Sequence, residues 1–354
     1  MMVVRPIQAE DHAALRELAR KTGPGFTSLQ DNDQQVAAKM ETALAAYNPD
    51  SIPKEALYLF VMEETDTGEV VGICGIESAV GLSDPWYNYR VGTLVHASRE
   101  LDVYNQINTL TISNDQTGYS ELCTLFLSPE ARHSKNGALL SKSRFMFMAE
   151  FPQRFNEYLI AEMRGYSDDK GVSPFWEGLG RHFFSIDFAH ADRRSSMDKV
   201  FIAELMPKHT IYTNLLPESA QQSIGQTHDN TTPARKLLES EGLRYTGYVD
   251  IFDAGPTLES RTEDIRSIFD SRAATVSIGD ALSAGNGEKS GGETDEENLP
   301  WVLISNDKLL DYRCLLTRTN PDAPRISPQL AEKLLVGEGD DIRVLKVDAA
   351  ELGG

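Results

Sequence analysis

The chain has 354 residues, 40% hydrophobic and 25% charged, and its 54 Asp plus Glu against 34 Lys plus Arg leave a formal net charge of -20. A single hydrophobic core stops growing at roughly 250–300 residues, so two domains are expected. The excess of acid disfavours nucleic acid and anionic membranes as partners.

The first residues, Met1-Met2-Val3-Val4-Arg5-Pro6, lack the charged and then apolar regions of a signal peptide. No later run approaches the ~18 apolar residues of a membrane span, so a cytoplasmic protein is expected. Val3 and Ile7 bracket a short strand, and residues 11–21 carry a helical apolar stripe at Ala14, Leu15, Leu18 and Ala19 behind an Asp cap. A turn-rich loop over residues 23–29 precedes a second helix through Val36, Met40 and Leu44. Residues 57–62 and 70–78 are β-rich and flank a hairpin turn ending at Gly68. Strands are expected again over residues 89–97 and 107–113. Residues 120–127 are apolar on both alternating faces from Leu122 onward, the pattern of a central strand covered on both sides.

A loop over residues 128–137 leads to a largely buried helix over 138–150, and a strand over 158–164 follows. Ser173-Pro174 caps another helix, and residues 233–248 repeat the order helix, Glu-Gly, aromatic strand. Past residue 255 short β-like pieces dominate, with one helix after Ile326-Ser327-Pro328, and residues 283–298 lack any apolar stripe and are expected to form a mobile loop. The expectation is an α+β chain: a mixed sheet flanked by helices over residues 1–255, and a smaller, mainly β, barrel-like domain over 256–354, in which one helix-turn-strand unit resembles a double-psi barrel. Cys74, Cys123 and Cys314 are odd in number and widely spaced, which suits reduced packing residues. No His and Cys spacing suggests a metal, and there is no Walker loop or Gly-x-Ser-x-Gly elbow.

A buried strand, a loop with a glycine and a helix make an anion site, because the helix N-terminus leaves backbone N–H groups unpaired and partly positive. Between Ala131 and Ala149 this acidic chain holds no Asp or Glu, yet it holds Arg132, His133, Lys135, Lys142 and Arg144. A solvated helix face fits those charges as well as a phosphate site does.

Arg132-His133-Ser134-Lys135-Asn136-Gly137 resembles the Arg/Gln-x-x-Gly-x-Gly/Ala pyrophosphate loop of the GNAT acyltransferases, with Lys135 where the first glycine usually stands. The segments 86–92, 121–127, 140–148 and Ile224-Gly225-Gln226 ahead of His228 resemble the arginine N-succinyltransferase family in particular. That resemblance implies a GNAT-like fold over residues 1–255 and transfer of succinyl from succinyl-CoA to the α-amino group of L-arginine, in arginine catabolism. Succinyl-CoA is then a co-substrate, with no permanently bound cofactor. The resemblance further implies that His228 donates a proton to the departing thiolate. It implies acyl-CoA contacts from Leu125, Phe126 and Leu127 and from Arg132, Lys135, Asn136, Gly137 and Ala138.

Arginine's guanidinium calls for carboxylates and the succinyl carboxylate for a cation. Asp84, Glu162, Asp250 and Asp253 are open candidates for the first, and Arg90 and Arg164 for the second. Two other readings stay open: a subunit that also succinylates ornithine beside a sister chain, and a non-catalytic arginine- or CoA-sensing module. A homo-oligomer, as a dimer, is the general expectation for such an enzyme.

Overall fold

The computed structural model describes all residues except 23–27, 51, 169, 189, 192–199, 280–297 and 349–354. The expected mobile loop at 283–298 therefore lies, but for Asn298, outside the described residues, as does most of the 23–29 loop. The first strand, β1 (Met2–Pro6), leads through a short 3-10 turn into α1 (His12–Thr22), and α2 (Asp33–Ala46) follows. The cap of α2 is Asn32, whose side chain accepts from the Gln35 N–H at 3.2 Å. The strands then run β2 (Leu57–Glu64), β3 (Glu69–Glu77), β4 (Asn88–Ser98), β5 (Val103–Ser113) and β6 (Ser120–Leu127). Gly68, at φ +73, closes the β2–β3 hairpin as its sequence predicts.

Helix α3 spans Asn136–Glu150, two residues earlier than the apolar pattern suggests. After it come β7 (Tyr158–Glu162), β8 (Ile211–Tyr212), β9 (Arg244–Asp250) and β10 (Pro256–Arg261). The remaining strands are β11 (Arg272–Thr275), β12 (Ser277–Ile278), β13 (Trp301–Asn306), β14 (Cys314–Arg318), β15 (Arg325–Ile326) and β16 (Asp341–Val347).

One 14-stranded sheet has the order β11-β16-β13-β14-β1-β2-β3-β6-β7-β10-β9-β4-β5-β8, with β12 and β15 as a separate parallel pair. β6 lies in the middle of this order, and its burial on both faces matches its unbroken apolar run. The main core packs α1, α2 and α3 onto β1–β3, with Tyr58, Phe60, Phe147 and Tyr312 meeting edge to face or tilted. A second cluster gathers around Trp176. The C-terminal strands bury their own cluster, including Val302, Ile304, Leu315, Leu334 and Val344, and β14 meets β1 at the pair Val4↔Cys314. β4 and β5 pair over their whole length, from Asn88↔Ser113 to Ser98↔Val103, and their outer part leaves Leu94, Val95, Leu101 and Tyr104 exposed.

Candidate active site

The site begins where β6 parts from a neighbour. β6 and β7 run parallel, but their ladder consists of Ser120↔Leu159 and Glu121↔Ile160, after which β6 continues against β3 alone. Along β3 the register slips between Ile73↔Phe126 and Gly75↔Cys123, so two residues of β6, Thr124 and Leu125, stand against Cys74. Thr124 takes φ +52, an unusual conformation for a β-branched residue. Such a bulge bends and twists its strand, and here it turns the end of β6 away from β7 and opens a wedge in the sheet. Leu125, half-buried, lies within the bulge, and Phe126 and Leu127 follow on the splayed end.

Directly beyond, the loop over residues 128–135 delivers the chain to α3. Arg132 staples this loop to the strand: its Nε donates to the Leu127 carbonyl at 3.0 Å, and its guanidinium lies 5.9 Å from the centre of the Phe126 ring. Asn136 fixes the turn from inside, donating to the Ala131 carbonyl at 3.0 Å. Lys135, in place of the usual glycine, adopts φ +71, the left-handed region where glycine is the default. Its ammonium rests 5.7 Å from the centre of the Trp301 ring on β13.

Lys135 offers the first turn of α3 no side-chain hydrogen bond, and that turn contains no acid. The Asn136 N–H turns back to the His133 carbonyl at 3.0 Å and the Leu139 N–H to the Lys135 carbonyl at 3.1 Å, which leaves the Gly137 and Ala138 amides to an outside acceptor, at the positive end of the helix. A Cβ built on Gly137 would meet nothing within 4 Å, so no packing within the chain demands a glycine there. A close approach by a ligand would. Two of the basic residues expected at this patch are elsewhere: Lys142 is fully buried in an ion pair with Glu241, and Arg144, also buried, donates to Ser141 through Nε and Nη2. Positions 142 and 144 stand on nearly opposite sides of the helix, and both are buried because α3 is covered all round, every residue from Ala138 to Met148 being buried; the surface field is left to Arg132, His133 and Lys135.

On the other side of the wedge lies a cavity of about 480 Å³. Four carboxylates line it: Glu77 at the end of β3, Glu121 on β6, Glu162 at the end of β7 and Asp250 at the end of β9. Glu77 and Glu121 are direct cross-strand partners, an arrangement of like charges that disfavours itself without a counter-cation. Glu162 accepts from Asn88 Nδ2 at 3.0 Å. Burial pushes the Asp250 carboxyl up, although the Phe252 and Asp253 N–H groups donate to it at 2.7 and 2.9 Å. Among the described residues that line the same space one is a cation, Lys39 of α2. Cys123 lines it too, but burial pushes its thiol up to about 12.

His228 lies on the β7 side. Its N–H donates to the Arg164 carbonyl at 2.9 Å on the segment that continues β7, next to the bridge Gly165↔Thr227. Its Nδ1 accepts from the Asn230 N–H at 3.2 Å, which leaves Nε2 as the nitrogen that carries the proton in the neutral ring. The wedge is therefore flanked by Leu125–Leu127 on one side and by the His228 segment on the other.

The other candidates read from the sequence fall differently. Glu162 and Asp250 line the cavity. Asp253 is committed to the backbone, accepting from Gly165 and Gly255 N–H at 2.7 and 2.8 Å. Asp84 is exposed next to Pro85, which does line the cavity. Arg90 is exposed and leans on Tyr248 and Asp115, and Arg164 donates to Ser167 Oγ at 3.2 Å; neither lines the cavity. Glu77, Glu121 and Lys39 did not stand out in the sequence. The signal that joins Glu77 to Glu121 is strand register, and Lys39 reads as one more polar residue on an amphipathic helix.

A family model described as arginine N-succinyltransferase beta subunit matches residues 2–267. Arginine N-succinyltransferase of Yersinia pseudotuberculosis serotype O:3 (strain YPIII) is 51% identical to the chain over 354 residues, 99% of each. The enzyme of the same name from Citrobacter koseri is 50% identical, again over 99% of each. Among solved structures, arginine/ornithine succinyltransferase subunit AI from Pseudomonas aeruginosa superposes with a TM-score of 0.86 at 36% identity, covering 99% of both chains. With a family model over most of its length and relatives about half identical over nearly all of it, the chain belongs to the arginine N-succinyltransferase family.

Proposed function

We propose that this chain transfers a succinyl group from succinyl-CoA to the α-amino group of L-arginine and releases CoA, with the thioester at the β6–β7 wedge. The observation that carries this reading is the composition of the cavity: four carboxylates and one lysine beside a splayed strand, next to an uncapped helix N-terminus. A cationic acceptor and an anionic acyl group fit that charge pattern together. The diphosphate of CoA docks on the first turn of α3 at Gly137 and Ala138, with Arg132 and Lys135 beside it. The pantetheine runs along Phe126 and Leu127 as an added strand would.

The Leu125 N–H, re-aimed by the bulge, serves the thioester oxygen as negative charge develops there. Glu121, on the same strand, accepts the ammonium proton, and Glu77, Glu162 and Asp250 hold the guanidinium. The free amine then attacks the thioester carbonyl, the C–S bond breaks as His228 Nε2–H protonates the departing sulfur, and the second proton of the former ammonium, lost as the amide forms, restores the proton to His228. With its thiol pushed up to about 12, Cys123 stays protonated near neutral pH, which favours direct transfer over a covalent acyl-cysteine.

The test is release of free CoA thiol from succinyl-CoA with arginine, against ornithine, lysine and acetyl-CoA as controls. Arginine-dependent release supports the reading, and ornithine-dependent release at a comparable rate would move it to the arginine/ornithine range for which the Pseudomonas subunit is named. Binding of both ligands without thiol release would make the chain a sensing module. The three cysteines are free, which suits a reducing, cytoplasmic compartment. We also propose two units, residues 1–255 and 256–354, with the second lending β10 to the sheet of the first and lying over α3. A homo-oligomer formed through the exposed outer part of the β4–β5 hairpin completes the proposal, and light scattering of Val95→Glu against the unmodified chain tests it.

A further inference from the structure

Lys39 projects from the middle of α2 to the bulge on β6. Its Nζ donates to the Ser28 carbonyl at 2.6 Å and to Thr124 Oγ1 at 3.0 Å. Both acceptors are neutral, and among the described residues no carboxylate lies within 4.0 Å of it, although four line the same cavity. The ammonium is thus positioned by two hydrogen bonds and keeps one N–H to give.

Its location is specific. Thr124 immediately precedes Leu125, the residue that serves the thioester carbonyl, so Lys39 stands on the acyl side of the reacting carbon, opposite the CoA side marked by Phe126 and Leu127. A succinyl group carries a carboxylate two methylenes beyond that carbon. In a cavity otherwise lined by Glu77, Glu121, Glu162 and Asp250 such a carboxylate is repelled unless a cation meets it. Arg90 and Arg164, the cations expected from the sequence, do not line this space.

We infer that Lys39 reads the terminal carboxylate of the acyl group, and so selects a dicarboxylic monothioester donor over acetyl-CoA. The strained Thr124 then has a purpose: its hydroxyl aims the lysine, and its backbone conformation makes the bulge that presents Leu125. This inference rests on the proposed succinyl transfer, and it would fail separately from it.

The experiment compares kcat/KM for succinyl-CoA and acetyl-CoA, with arginine as acceptor, in the full chain and in Lys39→Met. The ratio of succinyl to acetyl is expected to fall by about tenfold or more, the loss typical of one charge-assisted hydrogen bond. A ratio that falls less than that overturns the inference, whether both rates drop together, as for a merely structural lysine, or neither changes. If Lys39→Met does not fold, Lys39→Gln, which keeps a donor toward Ser28 and Thr124 but no charge, is read by the same ratio. Calorimetric affinities for the two thioesters are measured alongside. Should the unmodified chain transfer no succinyl group, the function fails, while the binding ratio still decides the role of Lys39 by the same tenfold criterion.

Discussion

Gly137 and Lys135 show how one loop can be tuned by two residues of opposite kinds. Lys135 accepts a left-handed backbone that costs an L-residue about 1 kcal/mol, and its side chain gains Trp301 in exchange. Gly137 has no such strain, and the room around it is empty. Gly137→Ala is therefore expected to leave the melting temperature unchanged or raise it, by the ~0.5–1 kcal/mol that alanine gains over glycine in a helix. The same change should raise KM for acyl-CoA by obstructing the approach of the diphosphate; scanning calorimetry and steady-state kinetics on one preparation check both. For His228 the expectation is reversed. Its imidazole caps a short 3-10 turn at the surface, so His228→Ala should melt within a few degrees of the unmodified chain. Its kcat should drop by about 10²–10⁴, the usual contribution of a positioned general acid.

At the scale of elements, the bulge on β6 and the anchoring of α3 matter most. A helix that is to present its N-terminus to an anion must be held rigidly, and α3 is held by a buried ion pair between Lys142 and Glu241. The Glu241 carboxylate also takes the Ser267 N–H at 2.8 Å and Arg266 Nη2 at 3.2 Å. Burial pushes the Glu241 carboxyl up, but the charge and hydrogen bonds of Lys142 outweigh it and hold the group below the usual carboxylate range. Glu241→Gln leaves a buried ammonium without its counter-charge and should destabilise the fold by about 3–5 kcal/mol in denaturant unfolding. The sign with pH follows from the same shift. A depressed carboxyl contributes stability above its unfolded value of about 4.3, and that contribution is lost as pH falls through the lower folded value. The acid limb of the stability curve should accordingly flatten in the variant.

At the scale of the whole molecule, the C-terminal strands are tied to the catalytic half by specific contacts. The Tyr312 hydroxyl donates to the Ser143 carbonyl at 3.1 Å, and Arg343 pairs with Glu150 at 2.8 Å, both on α3. Lys333 reaches Asp66 at 2.9 Å, and Trp301 lies under Lys135. Strand β10, just past residue 255, pairs with β7 on one side and β9 on the other. A chain truncated after Gly255 is thus expected to be recovered largely insoluble, because it opens the sheet beside the site and uncovers the apolar face of α3. Truncation after Asp270 should retain β10 and a larger soluble fraction, while binding acyl-CoA more weakly for want of Trp301. Soluble yield and calorimetric affinity of the two truncations check this.

Much of this protein was legible from its residues alone. The apolar run over 120–127 marked β6 as central, because a strand covered on both faces has no polar side to show. Hairpin turns, the Ser173 cap and the acid-free stretch from Ala131 into α3 were equally local, each requiring particular side chains at particular offsets. What the sequence could not supply was everything that depends on register and direction. Nothing in Cys123-Thr124-Leu125 announces a bulge, since no glycine marks it. The facing of Glu77 and Glu121 requires knowing which residues of two strands pair, and the burial of Lys142 requires knowing that α3 is covered on every side. Lys39 becomes informative only once α2 packs on β2 and its side chain reaches Thr124 on β6. Local patterns fix elements through short-range sterics and hydrogen bonding, whereas a site is a meeting of side chains far apart in the chain, decided only when the sheet and its helices pack.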